Sequence, residues 1–311
     1  MIVSASRRTD IPAFYSEWFF NRLREGYVLV RNPMNPHRIS RISLKPDVVD
    51  GIVFWTKNPA PMLERLDGLS EYPYYFQLTL NPYGKDVESM VPSKGEVLLP
   101  AFRSLAEKIG KERVLWRYDP ILFSEKYTME YHLRYFQLLA SKLAGFTELC
   151  TVSFLDFYRN TAARVRPLGL IRPTPAQEVE LIGHFAGIAR ESGIKLRACA
   201  EDVNFEKLGV RRACCVDAER LGRLGSCCHL AVRKDRNQRP LCGCDESVDI
   251  GAYHTCAHGC LYCYANSSPT RAQSNFAAHD PCSPLLFGHV GNGDVVGVPK
   301  LCSCRDGQLR F

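Results

Sequence analysis

The chain has 311 residues, 46% of them hydrophobic, and a net charge of +7. That is long enough to bury a full core, excludes a composition of the disordered class, and tilts the surface only mildly toward anionic partners. No apolar run is long enough to span a membrane and no apolar leader region is present, so a cytoplasmic protein without a membrane partner is expected.

Residues 2–6 read as a short buried strand. Arg7-Arg8-Thr9-Asp10 follows as a polar turn, with Thr9 or Asp10 able to cap a helix and Pro12 tolerated in its first turn. That helix carries Phe14, Trp18, Phe19 and Leu23 at helical spacing and ends at Gly26. Residues 52–55 are a second strand, followed by Thr56-Lys57-Asn58-Pro59 and a short helix with Met62, Leu63 and Leu66. Residues 75–80 are a third strand, and a helix over 98–109 ends at Gly110. Residues 114–118 are a fourth strand, ending at Asp119-Pro120, with a helix over 128–144 behind it. A fifth strand covers 149–155, an amphipathic helix runs from Thr174 to Gly193, and a sixth strand covers 194–199.

Six strand–helix alternations imply parallel strands, and their apolar, β-branched and aromatic character fits strands covered on both faces. The expected fold is α/β: a partial (β/α)6 barrel of the TIM type over residues 1–205, with an open doubly wound sheet as the rival. In barrels the chemistry sits in the loops after the strands. Arg7, Arg8, Asp10, Lys57, Asn58, Arg117, Asp119, Asp156, Glu201 and Asp202 all fall at or just after a predicted strand end. One shared pocket is expected for most of them, with helix capping as the plainer role.

After residue 205 apolar periodicity weakens and cysteine, glycine and arginine rise. Of 14 cysteines, only Cys150 and Cys199 precede residue 214. Disulfides are scarce in a reducing compartment, so this bunching points to metal or cluster chemistry in residues 206–311, folding back over the barrel mouth. The densest group is Cys256-Ala-His-Gly-Cys260-Leu-Tyr-Cys263-Tyr-Ala, a C-x3-C-x2-C triplet turning at Gly259. Three thiolates hold three irons of a [4Fe–4S] cube and leave the fourth iron open, since four thiolates are normal. A zinc site is the alternative, although zinc ligands usually come as two pairs.

This triplet, with an aromatic residue before its last cysteine, resembles the signature of radical S-adenosylmethionine (radical SAM) enzymes. The resemblance implies that SAM chelates the open iron of a cluster on Cys256, Cys260 and Cys263, and that its cleavage releases a 5′-deoxyadenosyl radical. Tyr262 matches the position that lies against adenine. Thr56-Lys57, Arg117-Tyr-Asp119-Pro-Ile and Cys263-Tyr-Ala also resemble elements of proteins similar to spore photoproduct lyase. In those relatives the cysteine loop follows strand one, whereas here it follows strand six. The chain to about residue 270 is similar to an uncharacterised bacterial family, the domain of unknown function 1848.

Taken together, the expected activity is radical cleavage of SAM acting on an anionic small molecule or a nucleic acid, with flavodoxin or ferredoxin as reductant. The cofactor is expected to meet Arg7, Arg8, Asp10, Lys57, Arg117, Asp119 and Tyr262. Cys199, Cys215, Cys242 and Cys244 are expected to offer an auxiliary cluster, or zinc, with at most one ligand from each adjacent pair (Cys214-Cys215, Cys227-Cys228). The run Arg233–Arg239 reads as a solvated loop or an anion clamp. His258 is expected beside the cluster rather than on it, and Cys282, Cys302 and Cys304 receive no role. The rival readings are a non-enzymatic zinc or iron–sulfur module and an enzyme transferring an aminocarboxypropyl group.

Overall fold

A computed structural model describes residues 1–225 and 229–305, so the Cys227-Cys228 pair lies outside the described residues. The elements are β1 (Ile2–Ala5), α1 (Ile11–Phe14), α2 (Ser16–Glu25), the hairpin β2 (Tyr27–Arg31) and β3 (Arg38–Ser43), β4 (Gly51–Thr56) and β5 (Tyr74–Thr79). Then come α3 (Leu99–Ile109), β6 (Val114–Ile121), α4 (Met129–Leu143), β7 (Leu149–Phe154), α5 (Ala162–Val165), α6 (Pro175–Glu191) and β8 (Lys195–Ala198). The remainder is β9 (Arg211–Arg212), α7 (Ala218–Leu224), β10 (Val248–Asp249), α8 (Pro269–Ala277) and β11 (Val295–Gly297).

All six predicted strands form, as β1, β4, β5, β6, β7 and β8. They lie in one eight-stranded parallel sheet of order β10-β1-β4-β5-β6-β7-β8-β9. Neighbours follow chain order from β1 to β8, without the reversal that a doubly wound sheet requires. The sheet is open: β10 and β9 are its edges and it does not close into a TIM barrel. Residues 206–305 supply both edge strands, and their β11 pairs with β3 of the separate hairpin.

Alternation along each strand sorts side chains to two faces. Val3, Ile52, Phe54, Phe76, Val114, Trp116, Val152 and Leu196 face a core shared with Trp18 and Phe19 of α2, Phe102 of α3, Phe136 of α4 and Phe185 of α6. Phe136 and Phe185 stack at 3.8 Å, which ties α4 to α6. Ile2, Val53, Tyr75 and Leu115 face the other way, against Leu221 of α7 and the buried Cys199, Cys215, Cys242 and Cys244. That second face changes character along the strands. It is apolar where they start and carries Trp55, Gln77, Arg117, Thr151 and Ser153 toward their ends.

Three local expectations are corrected. The helix expected near Met62 is a 3₁₀ segment, Ala60–Leu69. The strand expected to stop at Tyr118 runs on to Ile121 through a register shift, so Arg117 and Asp119 lie within β6. The first helix breaks at Tyr15, with Asp10 capping α1 and Gly26 (φ 73°) closing α2.

Candidate metal and cofactor site

β10 explains how a late cysteine loop reaches the working end of the sheet. It pairs in parallel with β1, so the chain leaves both strands at the same edge. The Asp249 carboxylate fastens this junction, accepting from Ser4 Oγ (3.1 Å), Ser6 Oγ (2.7 Å), the Arg7 N–H (2.8 Å) and the Gly251 N–H (2.9 Å).

Residues 256–263 then lie over the loops after β1, β4, β5 and β7. His258 Nε2 meets Asp10 Oδ2 at 2.8 Å, and the same oxygen accepts the Lys57 N–H at 2.7 Å. The Met90 N–H donates to the His258 carbonyl (3.0 Å) and the Leu261 N–H to the Val87 carbonyl (3.0 Å). Arg164 donates to the Cys263 carbonyl at 2.7 Å. Cys260 is buried, and Cys256 and Cys263 are half-buried. Burial pushes all three thiols up, Cys260 to about 12; the charges of Asp10, Cys263 and Cys260 raise Cys256 further, and those of Glu88 and Cys263 raise Cys260. The opposing influences are Lys57 on Cys260, and backbone N–H groups followed by Arg164 on Cys263.

Glu88 is the anchor beneath this loop. Its carboxylate is buried and binds Lys57 Nζ (2.7 Å), Lys94 Nζ (2.6 Å) and Tyr262 OH (2.5 Å). Burial alone would raise its pKa, but the two ammoniums hold it down to about 2. Gly259 supplies the sharp turn. Its φ is +69°, and a Cβ there would come within 2.4 Å of Ser89 Oγ. Gly259→Ala is therefore expected to cost on the order of 1–2 kcal/mol of stability and to expose Cys260 to alkylation. Gly187→Ala, in open space on α6, is expected to add up to about 1 kcal/mol. Urea unfolding and iodoacetamide labelling followed by mass spectrometry read both; equal behaviour of the two variants would refute the account.

A second group of thiols lies under the ends of β6 and β8. Cys199 and Cys215 sulfurs stand 3.8 Å apart, the Cys244 N–H donates to Cys242 Sγ at 3.5 Å, and all four lie in one buried cluster. Arg117 Nη1 donates to Cys215 Sγ at 2.9 Å, Arg239 lies 3.8 Å from Cys199 Sγ, and the charge of Arg7 acts on Cys244. The hydrogen bond from Cys215 lowers Cys199 and raises Cys215. Arg117 also pairs with Asp119, and its guanidinium lies over the Trp55 ring at 4.9 Å. Among the described residues, no group of three or more His, Cys, Asp or Glu side chains is placed to hold a metal ion as it stands.

The expected single bowl is thus divided. Asp10, Lys57 and Tyr262 brace the Cys256–Cys263 loop, while Arg7, Arg117 and Asp119 sit at the four-thiol group. Arg8 turns to Asp249 and the Tyr253 ring. Asp156 binds Arg239, the one member of the basic run that reaches a cysteine. Glu201 accepts the Phe154 N–H at 3.0 Å, and burial pushes its carboxyl up to about 8. Asn58 caps its own turn. Cys214 points away, donating to the Val216 carbonyl at 2.8 Å. Glu88, Asp249 and Arg164 were not anticipated. Glu88 follows strand β5 by nine positions, in a polar connection where Lys85, Asp86 and Lys94 carry charge as well, so nothing in the sequence singles it out.

The fold and its two buried thiol groups define a cysteine-rich α/β protein with its polar residues at the strand ends. The chain belongs to the family described as Domain of unknown function (DUF1848), whose model matches residues 2–265. No curated protein matches it.

Proposed function

We propose that this protein is a radical SAM enzyme acting on an anionic substrate. One observation carries the reading: a C-x3-C-x2-C loop leaves a strand beside β1 and packs over the polar ends of a parallel sheet. In this reading the open sheet is a partial (β/α)6 barrel, with α2, α3, α4 and α6 on its outer face.

The residues fit a cluster with one open position. Three thiols within mutual electrostatic reach form the donor set. Beside them, Arg164 Nε, His258 Nδ1 and Asn266 Oδ1 are buried without a partner. A cavity of about 80 Å³ is lined by Cys256, Cys260, Arg164 and Asn266. When bound, a [4Fe–4S] cluster supplies the electron that cleaves SAM to methionine and a 5′-deoxyadenosyl radical.

The chain's own residues have distinct tasks. Cys256, Cys260 and Cys263 hold the cluster. Asp10, through His258 and the Lys57 N–H, keeps the loop on the sheet edge. Glu88 holds Tyr262 and spaces Lys57 from the thiols as a neutralising cation. Trp55 Nε1, Gln77 Oε1 and Arg7 Nη2 are buried without partners on the second face, where SAM or substrate polar groups would satisfy them. A flavodoxin or ferredoxin serves as electron donor. The test is anaerobic incubation with SAM and dithionite. 5′-Deoxyadenosine is expected; methylthioadenosine would indicate aminocarboxypropyl transfer instead, and neither product would refute SAM cleavage.

A further inference from the structure

We infer that Cys199, Cys215, Cys242 and Cys244 form a second metal site, a tetrathiolate centre for a single zinc-class divalent ion, separate from the Cys256–Cys263 loop. All four are buried, and three segments supply them: the turn after β8, the turn after β9, and the Cys242-Gly-Cys244 loop before β10.

Spacing indicates the type of metal. Sulfurs at about 2.3 Å from one tetrahedral zinc stand about 3.8 Å from each other. The Cys199–Cys215 separation is 3.8 Å, the Cys244 N–H donates to Cys242 Sγ at 3.5 Å, and the four share one buried cluster. A cube spreads its thiolates well beyond mutual contact, so this packing favours one ion over an iron–sulfur cluster. Among the described residues no group of three or more such side chains is placed to hold an ion as it stands. Uptake of the ion therefore draws the four sulfurs inward.

Charge indicates the same. Four thiolates round a divalent ion leave a dianion, which needs compensation when buried. Arg117 and Arg239 each donate to a different cysteine of the four, and the charge of Arg7 acts on a third, Cys244. Neutral thiols are weak acceptors and give no reason to collect three guanidiniums on one buried group. Cys214, adjacent in sequence, bonds to backbone instead, which leaves one ligand from that pair. An ion here would tie the β8–β9 edge of the sheet to the 242–244 loop.

The test uses the Cys260→Ala protein, in which the other site is disabled, so the two readings fail separately. It is expected to retain about one metal equivalent per chain by elemental analysis and, loaded with Co²⁺, to show the intense visible bands of a tetrahedral cobalt thiolate. Cys260→Ala/Cys215→Ser is expected to lose both. In the unaltered chain, Zn²⁺ is expected to protect these four cysteines from alkylation, a readout that does not depend on a variant folding. The inference is overturned if Zn²⁺ leaves their labelling unchanged, if Cys199 and Cys215 are recovered as a disulfide, or if Cys260→Ala keeps iron–sulfur absorption that Cys215→Ser removes.

Discussion

Cys260→Ala is expected to lower SAM cleavage to the level of the reaction without enzyme and to remove the iron–sulfur absorption of the anaerobically reconstituted protein. Cys260 is the most buried of the three thiols, and the backbone around it is bridged to Glu88. The variant leaves the cube two thiolates of this loop, and the four-thiol group is engaged with its own arginines. Structural damage is expected to be slight, since a cysteine-to-alanine change removes a single atom. Iron per chain, visible absorption and chromatography of the SAM products measure the effect. Undiminished 5′-deoxyadenosine from a folded variant would sink the proposed function.

The second large effect is on stability. Glu88→Ala leaves the Lys57 and Lys94 ammoniums without their carboxylate and releases the Tyr262 hydroxyl. Breaking a buried pair from one side typically costs about 3–5 kcal/mol, because the remaining charge stays buried. Lys57 and Lys94 are 12% and 24% exposed, against 0% for Glu88, so solvent relieves the two cations only in part. Replacing all three by apolar residues of similar volume is expected to recover most of the loss, which distinguishes stranded charge from lost packing. The pH dependence has a definite sign. Glu88 is held at about 2 against an ordinary 4.5, so its contribution is complete above about pH 4.5 and declines as pH falls toward 2. Urea unfolding of wild type and variant across pH 2–7 tests both points. An unchanged midpoint in Glu88→Ala, or equal acid limbs in the two proteins, would count against the network.

The six main strands and their helices were legible because their signals are local. Ile52 to Trp55 and Val114 to Tyr118 are apolar, aromatic runs bounded by turn residues, and a strand covered on both faces needs little else. The hairpin β2–β3 was not foreseen. Tyr27 to Arg31 is an apolar run without alternation, and β3 repeats Arg-Ile-Ser with a period of three rather than two. β9, β10 and β11 have two or three residues each, too short to give any period. Asp119-Pro120 looked like a strand end, yet an irregular register lets β6 continue past it.

The chain's order of residues by itself determined the alternating α/β architecture, the concentration of thiols in the last third, and the charged residues near strand ends. Tertiary structure decided that the sheet stays open, that the arginines divide between two thiol groups, and that the late loop arrives beside β1. The physical reason is range. Periodicity and turn chemistry act over a few residues, whereas Val3 meeting Val248, or Glu88 meeting Tyr262, depends on which edges and loops pack together once the chain is folded.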